Sequence, residues 1–146
     1  MKDILTEFDI GYIAGLIDGE GTITMSKKNP TKNDLRYPVV SCSSTSISIL
    51  EFLKSKLSGH ISTHKIYEKH HKVSYSWKLC YQPAVDLCSL LFPHLLEEEK
   101  RRRAFLLSTE YKKLTPRNGR YSEELLKKKY LFQEHFFHPS TPYFTG

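Results

Sequence analysis

Residues 12–21 read Tyr12-Ile13-Ala14-Gly15-Leu16-Ile17-Asp18-Gly19-Glu20-Gly21, and the chain passes at once into the alternation Thr22-Ile23-Thr24-Met25-Ser26. The apolar run predicts a helix. Ala14 and Gly15 leave so little bulk beside Ile13, Leu16 and Ile17 that another helix can approach closely, as at small-residue contacts elsewhere. Gly19 and Gly21 predict a sharp exit, because glycine adopts backbone angles closed to other residues and lets groups come near. Asp18 and Glu20 sit at that exit. Two such helices side by side bring both acidic turns to one end of the contact. Carboxylates clustered without lysine partners suit a hard divalent cation such as Mg²⁺, which takes oxygen ligands and keeps several waters. The plain alternative for each residue alone is a core helix that stops at glycine.

Outward from this stretch, the pattern predicts an α+β chain of order α-β-β-α-β-β-α followed by further helix. Thr6 is the predicted N-cap of the first helix, with Asp9 three residues on, and the helix should end near Asp18 or Gly19. Residues 22–27 alternate, with Ile23 and Met25 on one face and Thr22, Thr24 and Ser26 on the other. Residues 28–34 form a polar hairpin loop, and a second strand runs from Leu35 to about Cys42, which Pro38 should restrict to an edge or bulged position. Ser44, Thr45 and Ser46 offer caps for a helix carrying Ile47, Ile49, Leu50, Leu53 and Leu57 that ends at Ser58-Gly59. Residues 61–67 and 73–79 read as a second strand pair around a charged turn at 68–72. Helices follow over 84–91 and 95–107, packed on the apolar face of one antiparallel sheet. A loop at 114–121 leads to a last helix capped by Ser122. One domain is expected: a core over about residues 6–110, a helical extension over about 111–137 and an irregular tail at 138–146.

With 146 residues, the chain is long enough to bury a core of its own. Lys and Arg number 22 against 16 acidic residues, a net charge of +6, which favours a polyanionic partner such as nucleic acid. Cys42, Cys80 and Cys88 lack metal-ligand spacing and lie among apolar or strand-forming residues, so they are expected to be reduced. The first apolar run is short and preceded by acids, which argues against a signal peptide or a membrane span and for a soluble, intracellular protein.

The string Ile13-Ala14-Gly15-Leu16-Ile17-Asp18-Gly19-Glu20-Gly21 resembles the signature of the LAGLIDADG homing endonucleases. It matches at Ala14, Gly15, Leu16, Ile17, Asp18 and Gly21; the residues at 13, 19 and 20 are common variants. The resemblance implies a saddle-shaped, four-stranded sheet lying in the DNA major groove. It also implies a single-motif chain that works as a homodimer, since no second copy of the motif occurs. The implied contact between chains uses Ile13, Ala14, Gly15, Ile17 and Asp18 through a two-fold axis. By the same resemblance Glu20 is the metal ligand and a catalytic residue, with the Gly19 carbonyl as a second oxygen. Mg²⁺ shared across the dimer then activates water and stabilises the leaving 3′ oxygen, and the strands are cut across the minor groove. Asp18 is expected to satisfy backbone groups. The segment Pro93 to Ala104 resembles the family's basic helix, placing Lys100 near the reacting water; Arg101 and Arg102 are the alternatives. An ion-paired, solvated helix face is the competing reading of Glu97 to Arg103.

DNA contact is expected from the polar face of the sheet, Thr24, Ser26, Lys28, Arg36, Ser74, Ser76 and Lys78. The hairpin turns add Asn29, Lys32, Asn33, Lys69 and His70. Arg and Lys can pair with guanine and Asn with adenine, while other contacts reach only phosphates. Two alternatives stay open: a maturase that binds intron RNA, and a DNA-binding protein of the same fold that no longer cuts.

Overall fold

The first helix starts where Thr6 holds it. Its Oγ1 accepts the Asp9 N–H at 3.0 Å, and the Asp9 carboxylate accepts the Thr6 N–H at 3.0 Å. This reciprocal box satisfies donors that a helix start otherwise leaves without partners. In the computed structural model, which describes residues 4–28, 35–64 and 72–142, α1 covers Glu7–Glu20. It leads without a break into β1, Gly21–Lys27. The helix runs one residue past Gly19 because the bend is made at Gly21. A Cβ there would stand 2.7 Å from the Ile17 Cα, so only glycine lets the chain fold back so tightly.

The sheet is completed by β2 (Arg36–Ser44), β3 (His60–Thr63) and β4 (Tyr75–Cys80), in the spatial order β1-β2-β4-β3 with all neighbours antiparallel. Register follows the alternation in the sequence. Ile23 lies opposite Val40 and Val40 opposite Leu79, while Cys42 lies opposite Trp77. These residues are buried with Met25 under the helices. The other face carries Thr22, Ser41, Lys78 and His60 in one cross-strand row and Ser43, Ser76 and Ser62 in the next.

Pro38 does not put β2 at an edge as the sequence predicts: β2 is the second strand of the sheet, and Pro38 pairs in register with Met25. The Pro38 carbonyl accepts the Tyr81 N–H at 3.0 Å. In an extended strand a residue's N–H and C=O point to the same side, so the donor that proline lacks faces a point where β4 has already ended. No ladder bond is lost.

Helix α2 (Ile47–Leu57) lays Leu50, Leu53 and Leu57 on the sheet, and Lys56 reaches the Asp9 carboxylate at 3.4 Å, tying α2 to α1. Its exit uses Ser58 at φ 70° and Gly59 at φ 94°. The Ser58 carbonyl accepts the indole N–H of the fully buried Trp77 at 2.8 Å, which fixes the turn on the sheet.

Helices α3 (Gln82–Leu91) and α4 (Glu98–Leu106) follow, joined by a 3₁₀ turn at Phe92–His94. The sequence predicts helix from residue 95, three residues too early. Asp18 takes the N–H groups of Leu96 and Glu97, which keeps those residues outside the helix. A π-turn, Leu107–Tyr111, ends this layer, and α5 (Glu123–Phe137) begins at Ser122, whose Oγ accepts the Leu125 N–H at 3.1 Å. No described helix is long and apolar enough to cross a membrane.

Candidate active site at the end of helix α1

The last turn of α1 ends in carbonyl groups, of which that of Ile17 also accepts the Gly21 N–H, and together they carry a partial negative charge that a cation can offset. Lys100 fills that role. Its Nζ donates to the Ile17 carbonyl at 3.1 Å and to the Asp18 carbonyl at 2.7 Å. The contact is reciprocal. Asp18 Oδ2 accepts the Leu96 N–H at 2.9 Å and Oδ1 the Glu97 N–H at 3.1 Å. Glu97 then caps α4, accepting the N–H groups of Glu99 at 3.3 Å and Lys100 at 2.7 Å. Asp18 thus satisfies backbone donors, as expected, though those of the distant α4 entry rather than its own helix end.

Glu20, the last residue of α1, is exposed, and Lys100 stands one turn back along the same helix end. The thiol of Cys42, opposite Gly21 across the strand pair, registers both charges. Burial pushes it up first, the Glu20 carboxylate pushes it further and the Lys100 ammonium opposes them. An open cavity of about 450 Å³ lies alongside, lined by Gly21, Thr22, Ile23, Glu97, Glu99, Lys100 and Arg103. Among the described residues, no three His, Cys, Asp or Glu side chains converge within one chain. The exposed Glu20 carboxylate offers hard oxygen at this helix end, where Lys100 already takes the Ile17 and Asp18 carbonyls.

Of the three basic candidates, only Lys100 reaches α1. Arg102 donates to Glu99 at 2.8 Å and to the Phe136 carbonyl at 2.6 Å, the C-terminal end of α5. Arg101 lines a separate groove with Phe92, Glu98 and Phe105. Arg103, not singled out in the sequence, does line the cavity. Its Nη1 donates to the Ile23 carbonyl at 3.0 Å and its Nε to Glu99 at 3.2 Å, with its guanidinium over the Phe136 ring at 4.9 Å. The i, i+4 spacing from Glu99 was the available signal.

The expected contact between chains needs correction. Ile13, Ala14 and Ile17 are 0%, 2% and 0% exposed within a single chain, so their side chains belong to its own core. The outward face of α1 carries Gly11, Gly15 and Gly19, each at i+4 from the last, and a Cβ added at any of them meets no atom within 4 Å. Phe8 and Tyr12 flank this stripe, both exposed, and the Tyr12 ring meets the Phe52 ring edge-on at 5.1 Å. Gly15 is common to the expected and observed surfaces.

Among the expected DNA contacts, Lys28 and Lys78 are exposed, and Thr24, Ser26 and Ser74 are half-buried. Arg36 does not face the polar side. It donates to the Met25 carbonyl at 3.2 Å and lies over the Phe137 ring at 4.7 Å, because alternation from Val40 and Pro38 turns it toward α5. Ser76 is on the polar face but only 6% exposed, its hydroxyl held between Ser43 and His64. Asn29, Lys32, Asn33, Lys69 and His70 lie outside the described residues. His60 and His64, absent from the expected set, are exposed beside this face.

No protein-family model matches the chain, and no curated protein matches it in sequence. Solved structures do match it in shape. The homing endonuclease I-CvuI, bound to the I-CreI target in the presence of magnesium with the DNA not cleaved, is similar with a TM-score of 0.67 and 14% identity over 96% of this chain and 87% of that one. The archaeal intron-encoded homing endonuclease I-Vdi141I, complexed with DNA, gives 0.64 and 16% over 94% and 87%. The LAGLIDADG homing endonuclease I-GzeII, in complex with its DNA target, gives 0.57 and 12% over 93% of this chain and 50% of that one. The order of elements and the antiparallel four-stranded sheet agree with these likenesses: the chain has the fold of the LAGLIDADG homing endonucleases.

Proposed function

We propose that the protein is a divalent-metal-dependent DNA endonuclease that acts as a homodimer on a long, roughly two-fold symmetric site. The observation that carries this reading is the meeting of Lys100 with the last carbonyls of α1 beside the exposed Glu20. A helix C-terminus with a lysine capping it and a carboxylate left outward has no packing role to explain the acid. The glycine stripe on the outer face of the same helix supports pairing through α1, because close backbone approach there brings two Glu20 side chains to one end of the contact. Glu20 and the Gly19 carbonyl fit a hard cation, and the second chain doubles that oxygen set. A bound Mg²⁺ supplies water activation and charge stabilisation at the leaving oxygen. This chain's own contribution is to hold Glu20 outward through the Gly21 bend and to keep the Lys100 ammonium at the helix end, where it can meet the phosphate.

The basic, hydroxyl-rich sheet face of Thr24, Ser26, Lys28 and Lys78, with the row of Thr22, Ser41 and His60, supports a duplex as the substrate, its grooves read by side chains and its phosphates by the cations. Preferred duplexes selected from a random-sequence pool provide the substrate for the test. Wild-type protein with Mg²⁺ is expected to cut both strands, while Glu20→Gln binds with wild-type affinity and Lys100→Met binds more weakly with a shallower salt dependence, and both cut at least a hundredfold more slowly, the scale of a lost catalytic group. Wild-type cutting by Glu20→Gln removes that residue from the chemistry. Absence of any salt-sensitive duplex binding removes the nuclease reading altogether.

A further inference from the structure

Strand β1 forms one edge of the sheet, so the carbonyls on its outer side have no strand to bond. The register says which they are. Pro38 turns its carbonyl toward β4, so Met25, its partner in β1, turns its own away from β2, and Ile23 two residues earlier does the same. Two arginines take these groups. Arg36 Nη1 donates to the Met25 carbonyl at 3.2 Å, reaching across from β2, and Arg103 Nη1 donates to the Ile23 carbonyl at 3.0 Å from α4.

Both guanidinium groups are held in turn by the end of α5. That of Arg36 lies over the Phe137 ring at 4.7 Å, and the Arg36 backbone N–H donates to Gln133 Oε1 at 3.0 Å. That of Arg103 lies over the rings of Phe136 and Phe137 at 4.9 and 5.4 Å. Arg102, its neighbour on α4, donates to the Phe136 carbonyl at 2.6 Å and the His135 carbonyl at 3.4 Å, where the helix end favours a cation. Glu99 ties the two together, accepting from Arg102 at 2.8 Å and from Arg103 at 3.2 Å. The last turn of α5 is thus fastened to α4 and, through two planar cations, to the outer edge of β1. Between hairpin and helix there is also an open cavity of about 650 Å³, with Lys27 and Arg36 on one side and Tyr130, Glu134, Phe137 and His138 on the other. A few directional bonds, rather than a filled interface, therefore set the angle of the hairpin on the helix layer.

We propose that the end of α5 is a brace for the β1–β2 hairpin, with Arg36, Arg103 and Phe137 as positioning residues for base reading in the outer part of each half-site. The inference rests on the nuclease reading above. Lys27 and Arg36 are the last pair of the ladder, and Thr24, Ser26 and Lys28, which are offered to a duplex from this end, project from backbone that the brace holds. Hydrogen bonds to base edges weaken steeply when donor and acceptor are misaligned, so the angle of the hairpin bears on specificity. The seven residues of β1 span about 20 Å at about 3.4 Å a step, a reach of about six base pairs from the Glu20 end. The brace therefore acts on outer pairs and leaves those beside Glu20 alone. A cover for an edge strand and nothing more would change stability without changing which bases are preferred.

The test compares wild type, Arg36→Met, Arg36→Lys and Phe137→Ala on a duplex selected as above and altered one base pair at a time. Competition binding at fixed salt reads the preference at each pair, and thermal unfolding reads stability. All three variants are expected to lose about tenfold of discrimination at several neighbouring outer pairs, the scale of one misread pair, and to keep it at the inner pairs. Arg36→Lys falls with the others because an ammonium lacks the planar fork that meets a carbonyl and a ring together. Phe137→Ala changes no charge, so its agreement with Arg36→Met separates positioning from contact with the duplex. An Arg36→Met protein that loses preference at a single pair while Phe137→Ala keeps the wild-type profile marks Arg36 as a direct reader and overturns the brace. Variants that are less stable but keep every base preference overturn it too, and leave the nuclease standing. A wild-type protein without salt-sensitive duplex binding overturns both.

Discussion

Replacing Gly15 by leucine separates the stability of one chain from the association of two. Within the chain the substitution meets open space, since no atom lies within 4 Å of a Cβ built there, and Gly15 sits in the interior of α1. Leucine is a better helix former than glycine by roughly 0.8 kcal/mol, so the isolated protomer is expected to be slightly more stable. Between chains the effect is opposite. Overfilling a close contact costs about 1–3 kcal/mol, and a two-fold contact repeats it, for about 2–6 kcal/mol in all. Self-association should then weaken by about 30-fold at the least and about 10⁴-fold at the most. Sedimentation velocity over a micromolar concentration series reads the association, and thermal unfolding of the monomeric fraction reads the protomer. A Gly15→Leu protein that remains dimeric at wild-type concentrations refutes pairing through the glycine stripe. One that unfolds like a core variant refutes the outward placement of Gly15.

Gly59→Ala is expected to destabilise the fold by about 2 kcal/mol or more, because position 59 has φ 94° and a Cβ there would stand 2.7 Å from the Lys78 carbonyl and press on the Trp77 indole; chemical denaturation measures it. Lys129, 1% exposed, has its ammonium 3.8 Å from the centre of the Tyr111 ring and bonded to Thr115, and burial pushes it down to about 7 from 10.5. Between those values the unfolded chain binds the proton that the folded chain refuses. Stability should therefore rise with pH across that window, fully gained near 10.5 and lost by 7, and Lys129→Met should flatten the curve and stabilise the protein at neutral pH. Equal pH dependence in the two proteins contradicts the assignment.

The motif made the fold legible because its parts carry separable physical demands. The bend at Gly21 and the Thr6–Asp9 cap depend on local geometry, which neighbouring residues alone decide. The alternation in β1 marked the buried and polar faces for the same reason. Which side of α1 packs on its own sheet is a tertiary choice. Ile13, Ala14 and Ile17 share a face with the core, so the small residues left outward are Gly11, Gly15 and Gly19. Pro38 misled because its missing donor matters only where a neighbouring strand faces it, and β4 stops one residue short. Arg36 could be placed only once α5 was known to lay Phe137 beneath it. Lys100 stood out by resemblance, whereas Arg103 gains its place at the cavity from contacts with Ile23 and Phe136, both far away in sequence.

The central claim is that two chains each bring one Glu20 to a shared reaction. Mixed dimers test it most directly, with one wild-type chain and one Glu20→Gln chain carried on different affinity tags and purified through both. Cleavage of the selected duplex in Mg²⁺ is then followed strand by strand. Wild-type affinity with loss of double-strand cleavage is the expected result. A mixed dimer that cuts both strands at the wild-type rate contradicts the claim.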